Sequence, residues 1–331
     1  MKVAINGFGR IGRVFARIAL DRGVNIVAVN DVHGIEGAAY LLKHDSIYGR
    51  YGKKIEIEGD NLIVGGKEIK ILGERDPLKL PWKKLGVDIV VESTGVFRKP
   101  SEAAMHLKAG AKKVLITAPC KDGKPDLTIV PGVNQDKLKK EHKIISVASC
   151  TTNCFVPMVK ILHDKFKIKR ALMTTVHAYT NDQALHDESH DRPRRGRAAG
   201  LNIVPTTTGA AESVVEVMPE LLGRINGLAV RVPVAVGSLV DLVAELDGEF
   251  SVEDINSAFK KAANGPMKGI VEYSEEELVS SDVIGNAHST VFDSKLTQVD
   301  GNLVKTLAWY DNEFGYSNRV VDVLKMLEKM K

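Results

Sequence analysis

The sequence predicts an α/β protein in two parts: an N-terminal doubly wound parallel sheet, then an α+β domain built on a mainly antiparallel sheet. Two observations predict the first part. Short apolar runs alternate with helix-length amphipathic stretches up to about Cys150, the texture of repeated βα units, and a glycine turn joins the first strand to the first helix. A third observation predicts the second part, because the runs after residue 166 are richer in β-branched residues and spaced like antiparallel strands. A chain of 331 residues is long for one core and comfortable for two. We divide it into 1–149 and 150–314, with a C-terminal helix at 315–331 expected to pack back on the first domain.

Val3 to Asn6 reads as a short buried strand, and Ile11, Val14, Phe15, Ile18 and Ala19 fall on one helix face after it. Asn25 to Asn30 is the next strand, ending at Asp31. A hairpin-like insertion follows, with runs at 55–57, 62–64 and 69–72 broken by Gly-Asp-Asn and Gly-Gly. Strands at 88–92, 113–117 and 144–147 complete the first sheet, the first two separated by a helix at 101–109. A helix is expected from Phe155 to Phe166. Beyond it come strands at 171–177, 227–236 and 239–246, with 180–200 a long ordered loop that carries Arg192, Arg194, Arg195 and Arg197. Val320, Val323, Leu324 and Leu327 give the last helix its i, i+3, i+4, i+7 stripe, with Ser317 as its expected cap.

Composition narrows the class of function. The net charge of +4 is small for this length, so no nucleic-acid partner is required and no membrane partner is expected. Three cysteines without a framework spacing point to a reducing compartment, and the expected location is the cytoplasm. No apolar stretch is long enough to span a bilayer.

Gly7-Phe8-Gly9-Arg10-Ile11-Gly12 follows a strand, opens a helix, and is succeeded about 20 residues on by Asp31 at a strand end, the dinucleotide fingerprint. Gly7 makes the tight turn, Gly9 lets a pyrophosphate approach the backbone, and Gly12 permits close packing of the helix. Asp31 would accept hydrogen bonds from the adenosine ribose and repel a 2′-phosphate, so NAD is favoured over NADP. The second signal is Cys150, within Ser149-Cys150-Thr151-Thr152-Asn153 at a strand-to-helix turn. A helix start favours the thiolate, and an imidazolium beside it would favour it further. His177, which closes the apolar run 171–176, is the expected imidazole. The competing reading is a buried, inert cysteine; the flanking hydroxyls and amide weigh against it here and leave Cys154 as the core residue. Thr206-Thr207-Thr208-Gly209, Arg231 and the arginine cluster supply groups that hold an anionic substrate. His186 and His190 have metal-like spacing but no helix to carry them, and no metal is expected.

These segments together resemble one family, the phosphorylating glyceraldehyde-3-phosphate dehydrogenases. The likeness covers essentially the whole chain, through Ile5 to Gly12, Glu92-Ser93-Thr94-Gly95, Ala148 to Asn153, His177-Ala178-Tyr179-Thr180-Asn181-Asp182-Gln183, Pro205 to Ala211 and Trp309-Tyr310-Asp311-Asn312-Glu313, all in family order. The resemblance implies a Rossmann NAD-binding domain and a catalytic domain. It implies oxidation of D-glyceraldehyde 3-phosphate to 1,3-bisphosphoglycerate in glycolysis or gluconeogenesis, through a Cys150 thiohemiacetal and thioester that inorganic phosphate cleaves. His177 would act as acid and base. Ser149, Thr151, Thr180, Arg195, Thr208, Gly209 and Arg231 match positions that hold the substrate phosphate or the attacking phosphate. Arg10, Ile11, Asp31, Arg75, Thr94, Thr117 and Asn312 match cofactor contacts, with Tyr316 packing beside the nicotinamide, and the family implies a homotetramer. Three departures stand out: Glu188-Ser189 where Leu-Pro is common, which bears on NADP use, and Val234 and Glu212 where threonine and lysine are common, which bear on phosphate affinity. A sibling erythrose-4-phosphate dehydrogenase tends to lack the Tyr179-Thr180 and Thr207-Thr208-Gly209 pattern. A binding protein without turnover has only the arginine cluster in its favour and needs no activated thiol.

Overall fold

The computed structural model describes residues 1–330. Lys331, the last position of the predicted helix 315–331, lies outside the described residues. The chain divides into two compact units, one made of Met1–Ile129, Asn134–Ala148 and Ser317–Lys331, the other of Val130–Val133 and Ser149–Tyr316.

In the first unit, β1 (Lys2–Asn6), α1 (Arg10–Asp21), β2 (Asn25–Asn30) and α2 (Ile35–Lys43) come first, then β3 (Ile55–Glu58), β4 (Asn61–Val64) and β5 (Lys67–Leu72). They are followed by α3 (Trp82–Leu85), β6 (Ile89–Glu92), α4 (Pro100–Ala103), α5 (Met105–Lys108), β7 (Lys113–Ile116), β8 (Leu127–Thr128) and β9 (Ile144–Ser146). The nine strands form one sheet in the order β3-β4-β5-β2-β1-β6-β7-β9-β8, parallel from β5 to β8. The predicted hairpin insertion is therefore part of the sheet: β3 and β4 pair antiparallel, and β5 crosses back to run parallel to β2. The helix predicted at 101–109 is two short helices that meet at Ala104.

Burial explains why these runs are strands. Val3, Ala4 and Ile5 are inaccessible, as are Val90 and Val91, so both faces are covered and the apolar runs do not alternate. On α1 the predicted stripe packs inward, with Val14, Phe15, Ile18 and Ala19 buried; each large side chain contributes about 1.5–3 kcal/mol by leaving water. The order of the sheet reverses at β1, between β2 and β6. In doubly wound sheets that is the point where the strand ends open a crevice for a ligand.

The second unit begins with α6 (Cys150–Phe166), then β10 (Ile168–Ala178), β11 (Val204–Thr206), α7 (Ala210–Val217), β12 (Ile225–Val232) and β13 (Ser238–Leu246). It continues through α8 (Val252–Asn264), β14 (Val271–Ser274), β15 (Thr290–Asp300) and β16 (Leu303–Tyr310) to the start of α9 (Phe314–Lys329). Its seven-stranded sheet runs β11-β12-β10-β13-β16-β15-β14. Four of the six neighbouring pairs are antiparallel; β10 with β12 and β14 with β15 are parallel. Two local expectations are corrected. α6 starts at Cys150, five residues before the predicted Phe155. Ser317 does not cap the last helix: it is fully buried inside α9, and Asp311 caps the helix instead, its Oδ1 accepting the N–H groups of Glu313 and Phe314 at 2.9 and 2.8 Å.

Candidate active site

A crevice of about 560 Å³ opens at the switch point of the first sheet, and Gly7, Gly9, Asp31, Arg75 and Thr94 are among the residues that line it. Gly7 has φ +93, and a Cβ there would lie 2.6 Å from the Thr94 amide nitrogen, so only glycine fits. Gly12 is tighter still: its Cβ would meet the Gly7 carbonyl oxygen at 2.2 Å. Gly9 is different, since a Cβ there would meet nothing within 4 Å. It also brings no side-chain cap to α1. That open backbone at a helix start is a place for a phosphate group. Asp31 Oδ1 accepts the His33 amide at 2.8 Å, leaving the second carboxylate oxygen for ribose hydroxyls. A crevice of this size, a bare helix start and one carboxylate fit a dinucleotide.

Four predicted cofactor residues of this unit, Arg10, Ile11, Gly12 and Thr117, do not line the crevice. The Arg10 guanidinium is drawn to Asp45 at 2.6 Å and lies over the Tyr48 ring. Thr117 Oγ1 donates to the Glu92 carbonyl at 3.0 Å, and Ile11 is half-buried in the first turn of α1. In the second unit, Asn312 follows β16. Its Oδ1 accepts from the Gly237 amide and the Ser238 hydroxyl at 3.2 and 3.0 Å, which leaves Nδ2 as the outward donor. Tyr316 is buried in the first turn of α9.

The thiol site is built by α6, β10 and β12. Ala148 holds φ +53, a sharp turn that a non-glycine residue adopts at a cost of about 1–2 kcal/mol, and it swings the chain into the helix. Ser149 then caps α6, its Oγ accepting the Thr152 amide at 3.0 Å and pairing with the Thr152 hydroxyl at 2.6 Å. Cys150 is thereby the first residue of a 17-residue helix, at the positive end of its dipole. His177 lies next to last in β10, where the parallel register sets it beside Arg231 of β12. The imidazole Nε2 is 3.4 Å from the Cys150 sulfur. Its other nitrogen, Nδ1, is 2.7 Å from the Ala178 carbonyl oxygen. That oxygen only accepts, so Nδ1 carries the proton and Nε2 turns its lone pair toward the thiol.

Burial weighs on both members of this pair. Burial first, and then the charge of Arg231, hold the His177 imidazole down to about 3. Burial also pushes the Cys150 thiol up, against the pull of Arg231 and of the Thr151 amide and hydroxyl. Cys150 keeps part of its surface open to a ligand, yet the protein around the sulfur is dense enough to penalise a lone thiolate. Neither group charges easily alone. A proton passing from sulfur to Nε2 charges both at once, 3.4 Å apart, so the two titrate as a pair.

Two guanidinium groups lie near the thiol site. Arg195 is buried by a short turn at Pro193–Gly196 inside the predicted loop, and donates to Thr206 Oγ1 at 2.9 Å, to the Thr207 carbonyl at 3.1 Å and to Asp182. Arg231 donates through Nη1 to the Ala178 carbonyl at 3.2 Å and to Thr180 Oγ1 at 3.0 Å, and its buried Nε has no partner. Burial and the charge of Arg195 push Arg231 down. A second positive charge in so small a space attracts an anion. Thr208 and Gly209 stand at the start of α7, the Thr208 hydroxyl accepting the Ala210 amide at 3.2 Å. The remaining arginines do not turn inward: Arg192 and Arg194 are exposed, and Arg197 pairs with Asp187 on the surface. Of the departing positions, Glu212 is exposed in the first turn of α7, and the Val234 carbonyl accepts the Tyr179 amide at 3.1 Å.

Tyr310 escaped the reading of the residues except as part of a matched segment. Its hydroxyl bridges Thr151 Oγ1 and Thr175 Oγ1, both at 2.9 Å, and its ring meets the His177 ring edge-on. The only signal available was its place as an inward residue at the end of a strand.

Comparison with known proteins agrees with this geometry. Residues 1–100 match the model of the glyceraldehyde 3-phosphate dehydrogenase NAD binding domain, and residues 149–312 match that of the C-terminal domain. The chain is 56% identical over 330 residues to glyceraldehyde-3-phosphate dehydrogenase of Priestia megaterium, covering 99% of this chain and 98% of that one. It is 56% identical over 326 residues to the Geobacillus stearothermophilus protein of that name, covering 98% and 97%. With the Thermotoga maritima protein of that name the identity is 54% over 333 residues, covering 99% of each. The chain belongs to the glyceraldehyde-3-phosphate dehydrogenase family, and its first unit is an NAD-binding domain.

Proposed function

We propose that the protein carries out phosphorylating oxidation of D-glyceraldehyde 3-phosphate in glycolysis or gluconeogenesis, with Cys150 as nucleophile and His177 as its proton partner. The observation that carries this reading is the sulfur at the start of α6 with the lone pair of a tautomer-fixed imidazole 3.4 Å away. As the sulfur bonds to the aldehyde carbon, its proton moves to Nε2, and the Cys150 amide N–H, at the first helical position, serves the developing oxyanion. The alkoxide so formed collapses to a thioester as a hydride leaves the same carbon, while Nε2 keeps the proton taken from the sulfur. Bound NAD supplies the hydride acceptor. A phosphate oxygen then attacks the thioester carbonyl, the C–S bond breaks, and the acyl phosphate leaves a thiolate for the imidazolium to neutralise.

Arg195, Arg231, Thr180, Ser149, Thr151, Thr208 and Gly209 divide the binding of the two phosphate groups between them. Gly7, Gly9, Arg10, Ile11, Gly12, Asp31, Arg75, Thr94 and Thr117 hold the dinucleotide, with Asn312 and Tyr316 serving its nicotinamide end, and Asp31 favours NAD over NADP. The domains run 1–149 and 150–314, with the helix 315–331 returning to the first. A homotetramer in the cytoplasm is the assembly we infer. It is supported by the apolar side chains Leu172 and Leu228 exposed on the second sheet, and by Leu185, Leu201 and Ile203 exposed between β10 and β11. Among the described residues no helix is long and apolar enough to cross a membrane.

The test is reduction of NAD and of NADP in parallel, with glyceraldehyde 3-phosphate, with and without inorganic phosphate, for the parent and Cys150→Ser. Phosphate-dependent reduction of NAD that Cys150→Ser abolishes is expected. Turnover unchanged by Cys150→Ser, or independent of phosphate, overturns the reading.

A further inference from the structure

At the ends of three adjacent strands of the first unit, the parallel register sets Asn30, Asn6 and Glu92 in one row. Polar side chains in the middle of a covered sheet are costly unless every one of them is paired. Here all are buried, and Glu92 is 2% exposed. Its Oε2 accepts from Asn6 Nδ2 at 2.6 Å and faces His106 Nε2 at 3.0 Å, while its Oε1 accepts the Thr94 amide at 2.8 Å and the Thr94 hydroxyl. The Trp82 indole N–H donates to His106 Nδ1 at 3.0 Å. An indole nitrogen only donates, so Nδ1 is bare and the His106 proton sits on Nε2, pointing at Glu92. All four groups around the carboxylate therefore donate to it, as an ionised carboxylate requires.

That one-way acceptor fixes the direction of every bond that leads away from it. With Nδ2 given to Glu92, Asn6 presents Oδ1 to Asn30 Nδ2 at 2.7 Å. Asn30 then clamps the peptide of Glu74 from both sides, Nδ2 to its carbonyl at 2.7 Å and Oδ1 from its amide at 2.8 Å, and the next residue is Arg75. On the other side the Thr94 hydroxyl, committed as a donor to Glu92, offers its lone pair to the Val96 amide at 3.0 Å. Asn6, Asn30, Glu74, Arg75, Thr94 and Val96 all line the dinucleotide crevice.

We propose that Glu92 is a positioning residue for the cofactor: its buried charge sets the polarity of a hydrogen-bond relay that holds two opposite walls of the crevice. The proposal rests on the dinucleotide reading of that crevice. Glu92→Gln is the sharp perturbation, because it keeps the shape and replaces one acceptor by a two-proton donor. With the new amide turned toward Asn6, both asparagine amides must flip and the Glu74 amide faces a donor. With it turned toward Thr94, the Thr94 amide loses its acceptor. One wall loosens in either case.

Titration calorimetry of NAD against the cofactor-free protein reads the effect. Glu92→Gln is expected to raise the dissociation constant about tenfold or more, the loss of one buried acceptor. The rate at which iodoacetamide alkylates Cys150 without cofactor stays at the parent value, which separates this effect from damage to the thiol site. Trp82→Phe is the control for a merely structural role: it removes the far donor without reversing the relay, so it lowers the melting temperature and leaves NAD affinity unchanged. An unaltered dissociation constant in Glu92→Gln overturns the proposal, as does an equal loss of affinity in Trp82→Phe. If Glu92→Gln does not fold, Asn30→Ala, which frees the Glu74–Arg75 wall alone, must weaken NAD binding severalfold, and unaltered binding there overturns the proposal too. A parent protein that fails to bind NAD would instead refute the dinucleotide reading itself.

Discussion

Removing His177 tests the paired titration directly. At 3.4 Å, an imidazolium and a thiolate attract by about 5 kcal/mol at an effective dielectric constant of about 20, a ceiling on what the pair contributes to ionising the sulfur. In His177→Asn the sulfur keeps its desolvation but loses its proton acceptor. The helix start, Arg231 and the Thr151 groups remain, and they recover part of the loss. The sign follows: the thiol is pushed further up, so the reactive form appears only at higher pH. Iodoacetamide alkylation followed against pH measures this, because the thiolate alone reacts. The curve of the variant should move to higher pH, and its rate at neutral pH should fall about a hundredfold, less than the ceiling by what the remaining groups supply. A variant alkylated at the parent rate, with the parent pH dependence, would show that the sulfur is ionised without help from His177. The pairing argument would then be wrong. Loss of folding is checked separately by the melting temperature.

Two further outcomes follow from atoms already placed. Gly12→Ala forces a methyl group to 2.2 Å from the Gly7 carbonyl and should lower the melting temperature sharply, whereas Gly9→Ala, with nothing within 4 Å, should melt like the parent yet bind NAD at least about tenfold more weakly; calorimetry and thermal unfolding of the two variants decide it. Tyr310→Phe strips the shared partner from two buried hydroxyls, and should cost about 1–3 kcal/mol of stability in denaturant unfolding and lower turnover more than it alters the Michaelis constants.

Much of this architecture can be read from the chain because its strongest local signals agree with its packing. Val3 to Ile5 is apolar without alternation since both faces of β1 are covered, and Asn25 to Asn30 ends where the sheet ends. The start of α6 was hidden for a physical reason. Thr151, Thr152 and Asn153 are poor helix formers, so no propensity or periodicity announces it before Phe155. Tertiary burial overrides them, since the first turns are enclosed on nearly every side. Ser317 misled for the opposite reason. It has the chemistry of a cap, but Asp311, three residues before Phe314, holds the first turn and leaves the serine inside α9.

The candidate site divides along the same line. Cys150, His177 and the glycine turn were legible because each carries a local signature, a residue type at a strand end or a fixed spacing. The tautomer of His177, the two threonines bridged by Tyr310 and the relay from Glu92 to Glu74 depend on which strands become neighbours, a property of sheet order that no short window contains. Asn6 and Asn30 illustrate the limit. In sequence each is the polar end of an apolar run, indistinguishable from a solvated turn, and only the parallel register of β2, β1 and β6 makes them successive members of one chain of bonds that begins at Glu92. Such a chain has a direction, and direction comes from the member that can only accept. A carboxylate buried among donors is therefore informative wherever it borders a ligand crevice. Its replacement by the isosteric amide changes no volume, so a loss of affinity would measure polarity alone.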